Sequence, residues 1–407
     1  MDTEVYISVP NYFTDSPDPT ATGHTLHRLL KGIPGIPQGP RLFHAKSKAI
    51  YTANGLKQCK SDYALYYCET RKLFLAVWVD DLFLFYPPES SGHATALWAS
   101  LQQELDLGDM EDIDDCLGCQ VSYDKANRRL TISQRAAFKA LLLKTGMDKA
   151  NHEHTPMSTA TRLSKTQCPN EAEGRTMTEE QKWYRSTIAS FIHFCTWTRP
   201  DMAKTVSSLC RYMHNPGKAH ITALKRLLRY LAGTINKGLV YDFSQTSSTK
   251  TGVYGYYDAA HADCVDTMKS TLAYVYFFEG CLISWHTKLH SLVTTSTNHS
   301  EYCAAAKAGR EAKWIEKIFI FLGYPQFVRP IHLFSDSKGS IAMTYNPVNR
   351  AASKHVDLAD HYARELQELG TITVTHVGTA DMTADLLTKA LGRPAHERHS
   401  RQLIGDC

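Results

Sequence analysis

No stretch of this 407-residue chain is both long and apolar enough to cross a bilayer. The two most hydrophobic segments, LAYVYFFEGCLISW (272–285) and IEKIFIFLGY (315–324), are too short or too often interrupted. The opening MDTEVYISVPNYFTD is acidic and has no apolar core, so it does not read as a secretory leader. Charge of one sign is scarce as well. With a net charge of +4, any surface for a polyanion must be a local patch rather than a field of the whole molecule. Eleven cysteines follow no disulfide framework and their number is odd, which suits reduced thiols in the cytosol or nucleus and argues against secretion. Cys116 and Cys119 have metal-ligand spacing, but no second pair or nearby His completes a tetrahedral set, so two core cysteines are expected. What remains is a globular composition, 43% hydrophobic and 21% charged, with length for two or three domains.

Hydrophobic period and turn signals divide the chain. GIPGIPQGP (32–40) lies in a Pro- and Gly-rich region of turns. RKLFLAVWVDDLFLFYPP reads as strand, tight turn and strand, closed by Pro87 and Pro88. Residues 150–182 are polar and aperiodic, the best linker candidate, and QTSSTK (245–250) marks a second boundary. Between them lies a helical stretch in which Leu224, Leu227, Leu228 and Leu231 share one face, opposite Lys225, Arg226 and Arg229. After residue 250, three aromatic, β-branched strands give way to alternating helix and strand, the pattern of a mixed α/β domain. The fold class expected is therefore α+β or mixed α/β.

Asp80 and Asp81 interrupt an apolar run, AVWVDDLFLF. Turn aspartates are common, but with apolar flanks on both sides the pair is expected to be half-buried and to coordinate a cation. The segment resembles the YxDD palm hairpin of reverse transcriptases, with Trp78 in place of the Tyr. Upstream, Gly35-Ile-Pro-Gln38-Gly39 resembles their LPQG motif, which packs under the incoming nucleotide. HTPM (154–157), YRSTIASFIHFCTWTRPDMA (184–203) and NPGKAHITALKRLLRYLAGT (215–234) resemble the region that follows the polymerase in copia-type retrotransposon polyproteins. The last 150 or so residues are similar to that family's ribonuclease H domain.

The resemblance implies three parts: a partial polymerase palm with a thumb-like region (1–150), linker and connection helices (151–244), and a ribonuclease H-like domain of mixed sheet flanked by helices (245–407). A two-metal polymerase needs a further carboxylate from an earlier palm strand. Here TEVYISVP (3–10) stands at the start and only Asp2 precedes it, so polymerase activity is expected to be lost through N-terminal truncation. No zinc knuckle, protease signature or integrase-like zinc segment is found.

The resemblance supplies four metal-holding residues for ribonuclease H chemistry: Asp258 in GYYDAAHA, Glu301 in NHSEYCAAA, Asp336 in HLFSDSKGS and Asp385 in MTADLLTKAL. They would bind two Mg²⁺ or Mn²⁺ ions, hard cations that prefer oxygen. Each has an ordinary alternative: a capping box for Glu301, a helix cap for Asp336, a solvated helix face for Asp385 and a strand-end turn for Asp258. Four together are harder to explain so, since each close pair repels by about 4 kcal/mol at an effective dielectric near 20. His376, expected in the loop before the last helix, matches a mobile histidine that helps product leave. His355 and His361 read as structural. The motifs have also drifted: Ala260 stands for a second Asp, His261 for a Trp, and Ser337 for an Asn.

The expected activity is metal-dependent cleavage of RNA in RNA:DNA hybrids, with Lys218, Lys225, Arg226, Arg229 and Lys237 as a surface for duplex phosphates. The alternatives are a nucleic-acid-binding remnant that does not cut and a fragment without function.

Overall fold

The structure, a computed structural model, describes residues 6–10, 24–29, 36–170, 176–244, 250–345 and 361–407. It forms two compact units, residues 1–111 and 112–407.

In the first unit, β1 (Tyr6–Pro10) and β2 (His24–Arg28) make an antiparallel hairpin. Helix α1 (Gly39–Ala53) begins directly at Gly39, with Pro40 in the first turn, where its missing N–H costs no hydrogen bond. A four-stranded antiparallel sheet follows, β3 (Lys57–Gln58), β4 (Leu65–Cys68), β5 (Leu73–Trp78) and β6 (Asp81–Phe85), then α2 (Ser91–Glu104). Leu73 and Leu75, two apart on β5, are fully buried against Tyr51 of α1 and Leu97 and Leu101 of α2.

The second unit holds two five-stranded sheets. The first is antiparallel and contains β7 (Asp115–Cys116), β8 (Cys119–Asp124), β9 (Arg129–Ser133), β10 (Lys237–Asp242) and β16 (Gly405–Asp406), in the order 16-10-9-8-7. Helices α3 (Arg135–Thr145), α4 (Glu179–Trp197), α5 (Ala203–Cys210) and α6 (Lys218–Gly233) pack with it. The second sheet is mixed, in the order 13-12-11-14-15. Its strands β11 (Val253–Ala260), β12 (Thr271–Phe278) and β13 (Cys281–Leu289) are antiparallel, while β14 (Ile331–Ser335) and β15 (Ile372–His376) run parallel to β11. Its helices are α7 (Thr297–Phe321), α8 (Lys338–Tyr345), α9 (Tyr362–Glu368), α10 (Asp385–Thr388) and α11 (Arg393–Leu403).

Both faces of the mixed sheet are covered, which explains why its strands read as nearly continuous apolar runs. On β12, Leu272, Tyr274 and Tyr276 face α7, whose Ala304, Ala305, Ala308 and Ala312 allow close approach. Ala273, Val275 and Phe277 face the opposite core, shared with Phe191, Leu224 and Leu228 of α4 and α6.

Two expected boundaries fall elsewhere. Residues 112–150 belong to the second unit: β9 pairs with β10, and Phe138, Leu141 and Leu142 enter the core of α4–α6. Polar residues 151–170 do not form a free linker. Tyr212 donates its hydroxyl to the Leu163 carbonyl at 2.9 Å, and the Ser164 hydroxyl and Lys165 N–H donate to Asp266, each at 2.9 Å. Polarity without periodicity looks like a linker in sequence, but here it marks a strap held by side-chain hydrogen bonds.

Candidate active site

Asp258 lies inside β11 and is fully buried, so it is not a strand-end turn residue. Glu301 is the fifth residue of α7, buried against the sheet. Ser296, not Asn298, caps that helix by accepting from the His299 N–H, which removes the capping-box reading of Glu301. Asp336 follows β14 and is half-buried. The side chain accepting from the Ser340 N–H at 3.2 Å is Ser337, so Asp336 is not a cap either. Three elements thus bring one oxygen each from Asp258, Glu301 and Asp336 to within 4.8 Å of one another.

Asp385 is buried rather than solvated, and it opens the short α10, not the last helix, which is α11. It joins the group through Lys389, whose ammonium lies 2.7 Å from Asp385 Oδ1 and 3.3 Å from Asp258 Oδ2. Thr388 donates its hydroxyl to Asp258, and Thr379 donates to Asp336 Oδ2 at 2.9 Å. Sequence reasoning missed these three. For Lys389 the signal was present: a Lys four residues after an Asp is a helical ion-pair spacing.

The cluster is electrostatically costly without cations. Burial, then the neighbouring Asp258 and Asp336 charges, push the Glu301 carboxyl up to about 9, opposed by Lys389 and a hydrogen bond from the Ala259 N–H. Burial and then Asp258 push Asp385 up to about 7. Burial disfavours the Lys389 charge, but Asp258 and Asp385 outweigh it and hold the ammonium protonated. One oxygen of Glu301, Oε2, is buried without a hydrogen-bond partner among the described residues.

Other expected residues contribute no oxygen to this group. His376 is the last residue of β15, exposed and in register with Ser335, rather than in a loop. The His361 ring meets the Tyr302 hydroxyl at 3.2 Å, and His355 lies outside the described residues. Asp80 and Asp81 are exposed, contrary to the expectation of a half-buried pair. Trp78 pairs with Asp81 across a two-residue turn, so the flanking apolar residues are themselves exposed, Trp78 by 55% and Val79 by 67%. Val79 has φ 53°, a left-handed conformation that a β-branched residue rarely adopts. Gln38 is the N-cap residue of α1 without a side-chain cap bond, and Gly39 is its first helical residue. Asp2 lies outside the described residues.

On α6, Lys218 and Lys225 are exposed. Arg226 and Arg229 instead grip Glu153 of the polar strap at 2.9 and 3.1 Å and also bond Thr155 and the Asn151 carbonyl. Lys237 pairs with Asp406 at 2.9 Å. Cys119 is buried and Cys116 half-buried, paired across the β7–β8 hairpin, and all eleven cysteines are free.

The mixed sheet thus carries grouped carboxylates on β11, on α7 and after β14. Solved structures that resemble the chain include ribonuclease H1 from the halophilic archaeon Halobacterium salinarum NRC-1. It is 19% identical, with 33% of this chain and 93% of that one covered and a TM-score of 0.25. The foamy viral protease-reverse transcriptase in complex with an RNA/DNA hybrid is 12% identical over 88% of this chain and 40% of that one, with a TM-score of 0.48.

Residues 1–159 match the family of reverse transcriptases (RNA-dependent DNA polymerases). The retrovirus-related Pol polyprotein from transposon TNT 1-94 of Nicotiana tabacum is 29% identical over 100% of this chain and 30% of its own length. That from transposon RE2 of Arabidopsis thaliana is 32% identical over 98% of this chain and 26% of its own. This chain is therefore similar over nearly its whole length to copia-type retrotransposon Pol polyproteins, and it spans between a quarter and a third of the length of these curated relatives.

Proposed function

We propose that residues 245–407 act as a divalent-metal-dependent endonuclease that cuts the RNA strand of RNA:DNA hybrids, with Asp258, Glu301, Asp336 and Asp385 holding two Mg²⁺ or Mn²⁺ ions. The observation that carries this reading is the convergence of Asp258, Glu301 and Asp336 within 4.8 Å, from three separate elements. The donor set fits: carboxylate oxygens suit hard divalent cations, and Glu301 Oε2 is a buried acceptor that no donor among the described residues satisfies. Such ions, when bound, activate water and stabilise the leaving oxygen of the RNA strand.

The protein's own groups organise the site. Thr388 and Thr379 fix the Asp258 and Asp336 carboxylates by hydrogen bonding, so less rotamer freedom is lost when a phosphate arrives. Lys389 offsets the charge of Asp258 and Asp385 and holds both in place. His376, exposed at the end of β15 in register with Ser335, is the residue assigned here to help product depart. Lys218 and Lys225 are the exposed cations left on α6 for duplex phosphates. Polymerase activity is not proposed, because among the described residues Asp80 and Asp81 have no third acidic partner close enough to share an ion. Free cysteines suit a cytoplasmic or nuclear location.

A second reading, hybrid binding without cutting, is favoured by Lys389, which already neutralises part of the cluster. Purified full chain with a labelled RNA:DNA hybrid and Mg²⁺ or Mn²⁺ separates the two. Metal-dependent nicking should fall in Asp336→Asn by more than the roughly 10–100-fold typical of losing an outer-shell partner. Equal cleavage by that variant points to a contaminant, and retention of the hybrid without nicking selects the second reading.

A further inference from the structure

A cleft of about 370 Å³ opens beside the carboxylate cluster, within the second unit. Its walls come from the polar strap (Arg162), from α5 and the turn after it (Lys204, Arg211), from the turn after β11 (Asp263) and from the end of α10 (Thr388, Lys389). Thr388 and Lys389 also bond Asp258, so the cleft and the carboxylate cluster share a wall.

Charge in the cleft is unbalanced. Lys204 Nζ lies 2.5 Å from Asp263 Oδ2, and Arg211 Nη2 lies 3.8 Å from the same oxygen. Asp263 Oδ1 is already engaged by the Thr271 N–H at 2.8 Å. Arg162 is exposed and, among the described residues, donates to neutral carbonyls, those of Thr159 at 2.9 Å and Thr161 at 3.2 Å. Among the described residues lining the cleft, three cations therefore meet one carboxylate, the charge of Lys389 being directed to Asp258 and Asp385. Asp266, beside the cleft, is bonded by Ser164, Lys165 and Tyr212. Counting it still leaves positive charge in excess.

Hydrogen bonding is unbalanced in the same direction. Arg211 Nε is buried with no acceptor, and its Nη2 reaches Thr271 Oγ1 only at 3.4 Å. Arginine's planar fork of donors matches a phosphate better than one long hydroxyl contact does. A small tetrahedral dianion or phosphodiester is the ligand class that meets both deficits.

We propose that this cleft seats a backbone phosphate of the nucleic acid, a near neighbour of the phosphate presented to the carboxylates. The inference rests on the nuclease reading above and deepens it. Arg162, Lys204 and Arg211 lie outside the ribonuclease H-like segment, so residues 157–212 complete the substrate site rather than merely connect two parts. Arg162 and Arg211 bind the phosphate, and Lys204 with Asp263 positions Arg211.

The test measures binding of a labelled RNA:DNA hybrid to the full chain in EDTA over a KCl series, so it does not depend on cleavage. Arg162→Ala and Arg211→Gln should each weaken binding severalfold, on the order of tenfold together. Each should lower the slope of log affinity against log salt by about one, while Lys139→Ala, on the exposed face of α3, changes neither. Should Arg211→Gln melt early, Arg162→Ala decides alone, since its side chain is exposed, and Arg211→Lys should restore part of the slope. Unchanged affinity and slope in Arg162→Ala overturn the proposal. So does inorganic phosphate raising the melting midpoint of the wild type but not of Arg162→Ala while both bind hybrid equally, because the cleft then serves a free anion. A wild type that binds with these slopes but never cuts removes the nuclease reading and leaves the phosphate seat. A wild type that cuts, with variants unchanged in KM and slope, does the reverse.

Discussion

The two acidic groups of this protein contain the same chemistry in opposite surroundings. Asp80 and Asp81 sit at an exposed two-residue turn, next to an equally exposed Trp78 and Val79. Asp258 and Glu301 are buried, with the half-buried Asp336 within 4.8 Å. Water solvates the first pair, so nothing obliges it to recruit a cation. The second set has no such outlet, and its charge must be met by protons, by Lys389 or by metal. Adjacency in sequence thus does not bury a pair of acids, whereas convergence from distant elements does.

The sharpest way to break this contrast is to remove one acid from each group. Asp336→Asn should abolish metal-dependent hybrid cleavage, whereas Asp80→Asn with Asp81→Asn should leave it unchanged in a gel assay. Loss of cleavage in the latter pair would tie the two groups together and overturn the distinction.

A third kind of carboxylate sharpens it. Asp201 is fully buried but lies 2.7 Å from Arg199 and accepts the Tyr230 hydroxyl at 2.7 Å; burial raises its pKa, but the Arg199 charge and these hydrogen bonds outweigh burial and leave it lowered. Arg199→Met strands that charge and should cost about 3–5 kcal/mol in urea unfolding. A change under about 1 kcal/mol would mean that water reaches Asp201.

The pH dependence has a defined sign. The Glu301 carboxyl is raised from 4.5 to about 9 in the folded chain, so its proton binds the folded state more tightly. In EDTA its contribution to stability is full below about pH 4.5 and is lost as pH rises towards 9. The melting midpoint should therefore fall across that window in EDTA, and Mg²⁺ should restore more of it at higher pH. Glu301→Gln should flatten this part of the profile. A wild-type profile rising from pH 5 to 9 in EDTA would contradict the burial of an unpartnered acid.

The smallest effect belongs to the exposed turn. Val79→Gly relieves a φ of 53° and should stabilise the first unit by about 1 kcal/mol or less, without altering cleavage.

Much of the mixed sheet was legible because its strands are aromatic, β-branched and well separated by turns, and the alternation expected after them begins with α7 at Thr297–Phe321. Four candidate acids could be named from motif order, but the capping alternatives for Glu301 and Asp336 could be removed only by seeing which side chains cap α7 and α8. The Asp80–Asp81 environment was misread because an apolar neighbour in sequence need not be buried when a turn carries it outward. The strap at 151–170 was misread because its partners, Tyr212, Asp266 and Arg226, lie 50 to 100 residues away. No local pattern encodes such contacts.

Counting bound Mn²⁺ on the full chain by calorimetry near neutral pH goes most directly to the central claim. Two ions should bind to the wild type and to the Asp80→Asn, Asp81→Asn double variant, and Asp258→Asn should lose at least one while still folded. Equal stoichiometry and affinity in all three would contradict the assignment of the buried acids as the metal centre.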